Sequence, residues 1–331
     1  MPDAEVNETG LVVEPPILGG ASGAAIAAGV SGALGGVAPV RVDRARTKKL
    51  GVLGWCAIGW LGIVALMAIV PTFFPVPSLH TRSVDALLSD HYGPSLAHPL
   101  GLDTSGYDMM TKVVYGARAS MIISVIAVLS ALIVGGFLGL VAGYFRGWLD
   151  TVISMMFNVQ LSMPALVLAL AAVTVFASGD SVSYARRVLV VTAAIGYVSI
   201  PGLGRITRAN TLAWSEREFV MAARLLGAKT PRIIRREVLP NVMPAMFSLM
   251  LLGVGIAIVA EGGLSLLGVG VPAGIDTPSW GNLISSLRSQ LFLGKPWGVF
   301  APSLAIFLTV LSLNYLGDVV RARFDVRESV L

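Results

Sequence analysis

Long apolar runs alternate with short polar connections along most of the chain. The first extends from Leu50 to Pro71, and five more follow at about 118–143, 151–177, 188–208, 240–270 and 297–317. Each can cross a bilayer, because about 20 helical residues at 1.5 Å per residue span roughly 30 Å of hydrocarbon. Pro164, Pro201 and Pro244 fall inside three of the runs and predict kinks. Such kinks are tolerated where neighbouring helices re-satisfy the freed carbonyls. The pattern therefore predicts an all-α polytopic membrane protein with six transmembrane helices and both termini on one side.

Composition agrees. Of 331 residues, 55% are hydrophobic and 13% charged, with a mean hydropathy of +0.79. A water-soluble domain carries about 25% charged residues. Residues 1–40 differ from the rest: they are rich in Gly, Ala and Val, include Glu14-Pro15-Pro16, and show no periodicity. They read as a disordered cytoplasmic tail, since the uncharged run at 17–40 holds too much Gly and too few large apolar side chains to insert. Residues 41–331 then form the membrane domain. The first apolar run is too long for a signal-peptide core and stays as an anchor. Residues 72–108, with four prolines, three His and four Asp, read as an external segment.

The net charge of +5 and pI near 9.6 would suit a nucleic-acid partner until the basic residues are sorted by side. With the N-terminus inside, 17 of the 24 Lys and Arg lie on the cytoplasmic side. That asymmetry is the positive-inside rule at work, so it predicts N-in, C-in topology and removes nucleic acid as a partner. The lone Cys56 excludes an internal disulfide and reads as a small packing residue within the first span.

The cytoplasmic connection at about 215–241 carries well-marked helix signals. Ser215 and Glu218 fit a capping box, predicting a helix over 216–226. Phe219, Val220, Ala222, Ala223, Leu225 and Leu226 make one side apolar while Arg217 and Arg224 stay polar, and Gly227 suits the left-handed residue after a helix end. Thr230 and Pro231 read as the N-cap and first residue of a second short helix running through Arg232, Arg235 and Arg236 toward Leu239 and Pro240. Periodicity leaves two uses open for the first helix: insertion into a groove on a cytoplasmic partner, or rest on the lipid headgroups.

Glu218-Phe-Val-Met-Ala-Ala-Arg-Leu-Leu-Gly-Ala-Lys, continuing to Val238-Leu239-Pro240-Asn241, resembles the EAA loop of ABC-importer permeases. Ala222, Ala223, Gly227, Leu239 and Pro240 match that pattern. Met221 stands where the family usually has Glu, and Glu237 where it often has Ile. Two further segments are similar to the C-type membrane subunit of dipeptide, oligopeptide and nickel permeases. One is His98-Pro-Leu-Gly-Leu-Asp-Thr-Ser-Gly-Tyr-Asp with Tyr115-Gly-Ala-Arg-Ala-Ser; the other is Leu264-Ser-Leu-Leu-Gly-Val-Gly with Pro278-Ser-Trp-Gly.

The resemblance implies a type I ABC-importer permease fold in the bacterial inner membrane. It further implies a homologous second permease, cytoplasmic ATPase subunits and an external solute-binding protein as partners, with membrane lipid around the spans. Glu218, Ala222, Ala223, Arg224, Gly227, Leu239 and Pro240 are the implied ATPase-coupling residues. Import of dipeptides or oligopeptides by alternating access is the implied function, with nickel or another small solute as the alternative cargo. No cofactor is expected on this chain. It has no Gly-x4-Gly-Lys-Ser/Thr phosphate loop, so ATP and Mg belong to the partner subunits and the chain is not itself an enzyme.

Glu261 is the one acidic residue inside an apolar span, toward the predicted outer end. An intramembrane carboxylate is a functional candidate by default. Hydrogen bonding at a gate is the reading preferred here over cargo contact. Asn158, Gln160 and Asn314 are weaker pathway candidates, since single amides also join helices. His80, His91 and His98 have no compact ligand spacing and read as solvent-exposed loop residues. Gly135, Gly136 and Gly139 permit close helix packing. An ion-coupled carrier would place several ionisable groups at mid-membrane and show an internal repeat, and neither is found. An intramembrane hydrolase lacks a plausible base, because no His lies in a span.

Overall fold

A computed structural model describes residues 51–73, 93–103, 105–177, 182–271, 278–294 and 296–324. The N-terminal tail, His80 and His91 lie outside the described residues. The helices are α1 (Val52–Phe73), α2 (Met109–Phe145), α3 (Gly147–Leu161), α4 (Ala165–Phe176), α5 (Tyr184–Ser215), α6 (Glu218–Leu225), α7 (Thr230–Ile233), α8 (Leu239–Leu266), α9 (Trp280–Leu287), α10 (Ser289–Phe292) and α11 (Trp297–Phe324). A π turn at Ile234–Val238 joins α7 to α8.

Five spans are single helices: α1, α2, α5, the continuous rod Thr230–Leu266, and α11. α3 and α4 are long and apolar enough to cross only when taken as a pair, and that pair is bent by 83°. The expected kink at Pro164 is thus a full break. Proline lacks an N–H and disfavours helical backbone at the residue before it, so Ser162 closes α3 and Pro164 starts α4 with extended ψ of 120°. Pro201 and Pro244 remain inside unbroken helices.

The α2–α5 pair is the spine of the molecule. Gly135, Gly139 and Gly143, one every four residues, put a bare stripe of α2 against the backbone of α5. A Cβ on Gly135 would sit 2.5 Å from the carbonyl oxygen of Ile200, and one on Gly139 would collide with that of Gly204. Gly204 in turn receives the ring of Phe157 from α3. Asp150 of α3 takes both Arg208 Nε and, at 2.6 Å, Arg208 Nη2, which locks the foot of α3 to α5. Asn158 accepts from Arg205 at 2.6 Å and Gln160 donates to the Tyr197 carbonyl at 2.6 Å, so both amides join helices.

On the far side α8 packs against α11 and α2, while α1 rests on α2 and α11. Trp60 of α1 donates to Thr309 Oγ1 at 3.0 Å. Cys56 is exposed on α1, contrary to the packing role expected of it, because α1 buries only one narrow side against its neighbours.

The described residues of 93–108 form a built loop rather than a loose one. Asp103, buried, accepts from the backbone N–H groups of Ser105 and Tyr107 and from Lys112 Nζ. Asp108 caps α2 through Thr111 and contacts His98 Nδ1 at 3.1 Å. His98 is therefore held by a carboxylate, where the sequence suggests a solvated side chain.

Candidate functional site

The segment after α5 departs from its expected capping. Ser215 is the last residue of α5, buried, and its hydroxyl donates to the Leu212 carbonyl at 2.9 Å while standing 3.4 Å from Arg146. With that hydroxyl committed to the preceding helix, no capping box forms with Glu218. The chain turns at Glu216, which pairs with Arg146 at 2.8 Å, and α6 begins at exposed Glu218 with Arg217 as N-cap. α6 is three residues shorter than the expected 216–226.

Its end follows the expectation. Gly227 has φ of +78°, and the N–H groups of Gly227 and Ala228 donate to the carbonyls of Arg224 and Ala223, both at 3.0 Å. This is a complete Schellman closure, which uses the left-handed conformation that glycine adopts without penalty.

The apolar residues of α6 divide between two sides instead of forming one. Val220, fully buried, packs with Ile233, Val238 and Val242, and Tyr144, Trp214, Ala223 and Ala228 close around them. Arg224 lies 5.4 Å from the Tyr144 ring, which pins its guanidinium over the foot of α2. Met221, Leu225 and Leu226 point away, 61%, 84% and 87% exposed, with exposed Ala222 between them. One side of α6 is thus fastened to the membrane domain while the other offers an apolar tip.

The second expected short helix, α7, is instead the foot of the continuous rod Thr230–Leu266. Thr230 is its first helical residue, with Lys229 as N-cap, and the rod continues through the π turn to Leu266. The π turn has a clear consequence. In an α-helix the residue four beyond Ile233 is Glu237; one extra residue per turn places Val238 beside Ile233 in the core. Asn241 Nδ2 donates to the Glu237 carbonyl at 2.6 Å, and Leu239 and Pro240 stand between core residues Val238 and Val242. The structure therefore gathers Glu218, Ala222, Ala223, Arg224 and Gly227 on one helix and turn, with Leu239 and Pro240 at the head of the rod supporting it. Sequence reading missed the anchor itself; the i, i+3 spacing of Val220 and Ala223 was the available signal.

At the opposite end of α8, Glu261 is 1% exposed and sits apart from the α6 site. Its Oε1 accepts from Ser265 at 3.0 Å and Ser279 at 2.7 Å. Ser279 also caps α9, accepting from Asn282 N at 3.1 Å. Next to it Trp280 is fully buried, with its backbone N–H on Ser120 Oγ at 3.0 Å and its indole N–H on the Val113 carbonyl at 2.9 Å. Gly116 leaves room for that indole, since a Cβ there would lie 2.9 Å from it. Segment 115–120 thus meets the distant segment 278–281 through Trp280, and Glu261 ties that same segment to Ser265 of its own helix. Asn314 lies elsewhere, on an open apolar cavity of about 470 Å³ between α4, α5, α8 and α11.

Comparison with known proteins bears on these features. Residues 135–330 match the family model described as "Binding-protein-dependent transport system inner membrane component". The chain is 35% identical over 280 residues to the dipeptide transport system permease protein DppC of Alkalihalophilus pseudofirmus, covering 85% of this chain and 86% of that one. It is 35% identical over 233 residues to the glutathione transport system permease protein GsiD of Pectobacterium atrosepticum, covering 70% and 74%. Among solved structures, an inward-facing form of the MetNI methionine ABC transporter aligns with a TM-score of 0.51 at 16% identity, over 65% of this chain and 97% of that one. That likeness extends to the type I fold.

Proposed function

The chain belongs to the family of binding-protein-dependent transport system inner membrane components, and on that premise we propose that it moves short peptides inward by alternating access. It is a multi-pass inner-membrane subunit and not itself an enzyme. A substrate-binding protein and ATPase subunits are its partners. Relatives named for dipeptide and for glutathione carriage both handle small peptides, which supports peptide as the cargo here.

The carrying observation is the division of α6. A helix held by Val220 on its own domain, with Leu225 and Leu226 more than four-fifths exposed beyond it, transmits displacement without folding or unfolding. Closure of a bound ATPase pair would push α6, and the Val220–Ile233–Val238–Val242 cluster would pass that motion to α8 and the foot of α2 as a rigid-body rotation. Glu218, Ala222, Ala223, Arg224 and Gly227 are the ATPase-facing or ATPase-positioning residues in this scheme, and Leu239 and Pro240 set the rod they lean on. ATP and Mg are held by the ATPase subunits. In this scheme a homologous second permease packs against this one, and the apolar cavity edged by Leu166, Ile256 and Val259 would contribute to the shared pathway.

The test is co-expression with the neighbouring ATPase and permease subunits, comparing wild type with the double variant Leu225→Glu, Leu226→Glu. Both side chains are exposed, so the membrane domain should insert normally. The expected result is loss of ATPase subunits from the purified complex and of ATP-driven uptake of a labelled dipeptide in proteoliposomes supplied with the binding protein. Retention of both activities in the variant would remove α6 as the coupling element.

A further inference from the structure

The π turn that seats Val238 in the core carries Arg235 and Arg236 outward, and Arg232 precedes them on α7. Arg232, Arg235 and Arg236 are all exposed, and with Pro231 they edge an open concavity of about 600 Å³ at the foot of the rod Thr230–Leu266. No ion pair among the described residues engages them; two nearby carboxylates are committed elsewhere, Asp150 to Arg208 and Glu216 to Arg146. Glu237, on the same turn, is half-buried and faces the adjoining hollow beside Arg232 and Ile233. A cluster of like charges left this way calls for an anion from outside the chain.

The depth of the cluster says which anion. Between Glu237 and Glu261 lie 23 uncharged residues. At 1.5 Å each they cover about 34 Å, close to the hydrocarbon thickness. Counting back from Val238, Arg236 falls about 3 Å and Arg232 about 9 Å beyond the hydrocarbon edge, across the layer of roughly 5–8 Å that the headgroups of one leaflet occupy. Guanidinium groups at that level meet phosphate oxygens, to which they donate two parallel hydrogen bonds.

We propose that this concavity is a binding site for the headgroup of an anionic phospholipid of the cytoplasmic leaflet. The occupied site would brace the π turn from outside while α6 loads it from the other side through Ile233 and Val238, so anionic lipid would support coupling. The inference goes beyond the transport reading and does not depend on the cargo.

The test uses the co-purified complex. Native mass spectrometry would count phosphatidylglycerol and phosphatidylcholine retained by wild type, by Arg232→Gln/Arg235→Gln/Arg236→Gln, by the matching triple Lys variant, and by Arg323→Gln as a basic control elsewhere on the same side. Each charge removed should weaken phosphatidylglycerol retention about fivefold, with phosphatidylcholine unchanged. The Lys variant should keep the lipid, as should Arg323→Gln. ATP hydrolysis in nanodiscs should rise with phosphatidylglycerol for wild type and the Lys variant, and not for the Gln variant. Equal phosphatidylglycerol retention by wild type and the Gln variant would overturn the proposal. So would loss of the ATPase subunits from the Gln variant with its lipid retention intact, which would make the arginines a protein-docking surface. A difference confined to inorganic phosphate binding would also overturn it, by assigning the groove to a free ion.

Discussion

Ser279 Oγ lies 2.7 Å from Glu261 Oε1, and the same hydroxyl caps α9 by accepting from the backbone of Asn282. One serine therefore fastens a short helix to a membrane rod 18 residues earlier in the chain. Gly281 completes the contact: a Cβ there would stand 2.5 Å from Gly262 Cα and 2.7 Å from Glu261 Oε2.

Ser279→Ala removes the cap and one partner of the buried carboxyl together. It should cost about 1–3 kcal/mol, seen as a lower thermal midpoint in detergent. Glu261→Gln keeps a carbonyl oxygen to accept from both serines and should lose less than Glu261→Ala, which leaves two buried hydroxyls without their acceptor. Equal losses for the two would remove the hydrogen bonds as the reason the residue is there.

Gly139→Ala should destabilise by about 1–3 kcal/mol, because α2 and α5 must separate to admit the methyl. Gly202→Ala provides the contrast: the same helix pair, but open space where the Cβ would go. It should be neutral or stabilising by up to about 1 kcal/mol through helix propensity. Thermal scans of the two variants, with yield of inserted protein, decide the matter.

Gly227→Ala meets no neighbour, yet the left-handed backbone disfavours it by roughly 1–2 kcal/mol. Loss should be confined to the α6 closure. Membrane insertion should be normal, while ATPase retention in the purified complex falls, and Gly227→Asn should fall less because Asn tolerates this conformation better.

Asp150→Arg and Arg208→Asp should each loosen the foot of α3, and the double exchange should recover part of the loss. A double-mutant cycle on thermal stability should give a coupling of at least about 0.5 kcal/mol. Arg208→Lys should not substitute fully, since it cannot make both contacts to the Asp150 oxygens.

Spans and their order were legible in the sequence because lipid imposes a simple rule on composition: long uncharged runs must cross, and basic residues stay on one side. Gly227 could also be placed, since its left-handed turn is a local property. Local signals failed where a side chain had two uses. Ser215 has the right spacing to cap α6, yet its hydroxyl goes to the Leu212 carbonyl once α5 continues through it. Pro164 marks a distortion, but a proline alone does not fix its size: α3 and α4 break by 83° there, while Pro201 and Pro244 lie inside unbroken helices.

What the sequence by itself determined is therefore the membrane class, the order of the long apolar helices and the place in the chain of the short helix that Gly227 closes, all legible from hydropathy, charge and turn chemistry read residue by residue. Only the tertiary structure decided that Val220 is an anchor and Leu225 a free tip, that a π turn replaces Glu237 with Val238 in the core, and that Ser120 and Glu261 both meet segment 278–281. Those outcomes depend on contacts between residues far apart in the chain, such as Ser120 with Trp280, 160 positions on, and no local pattern encodes such a meeting.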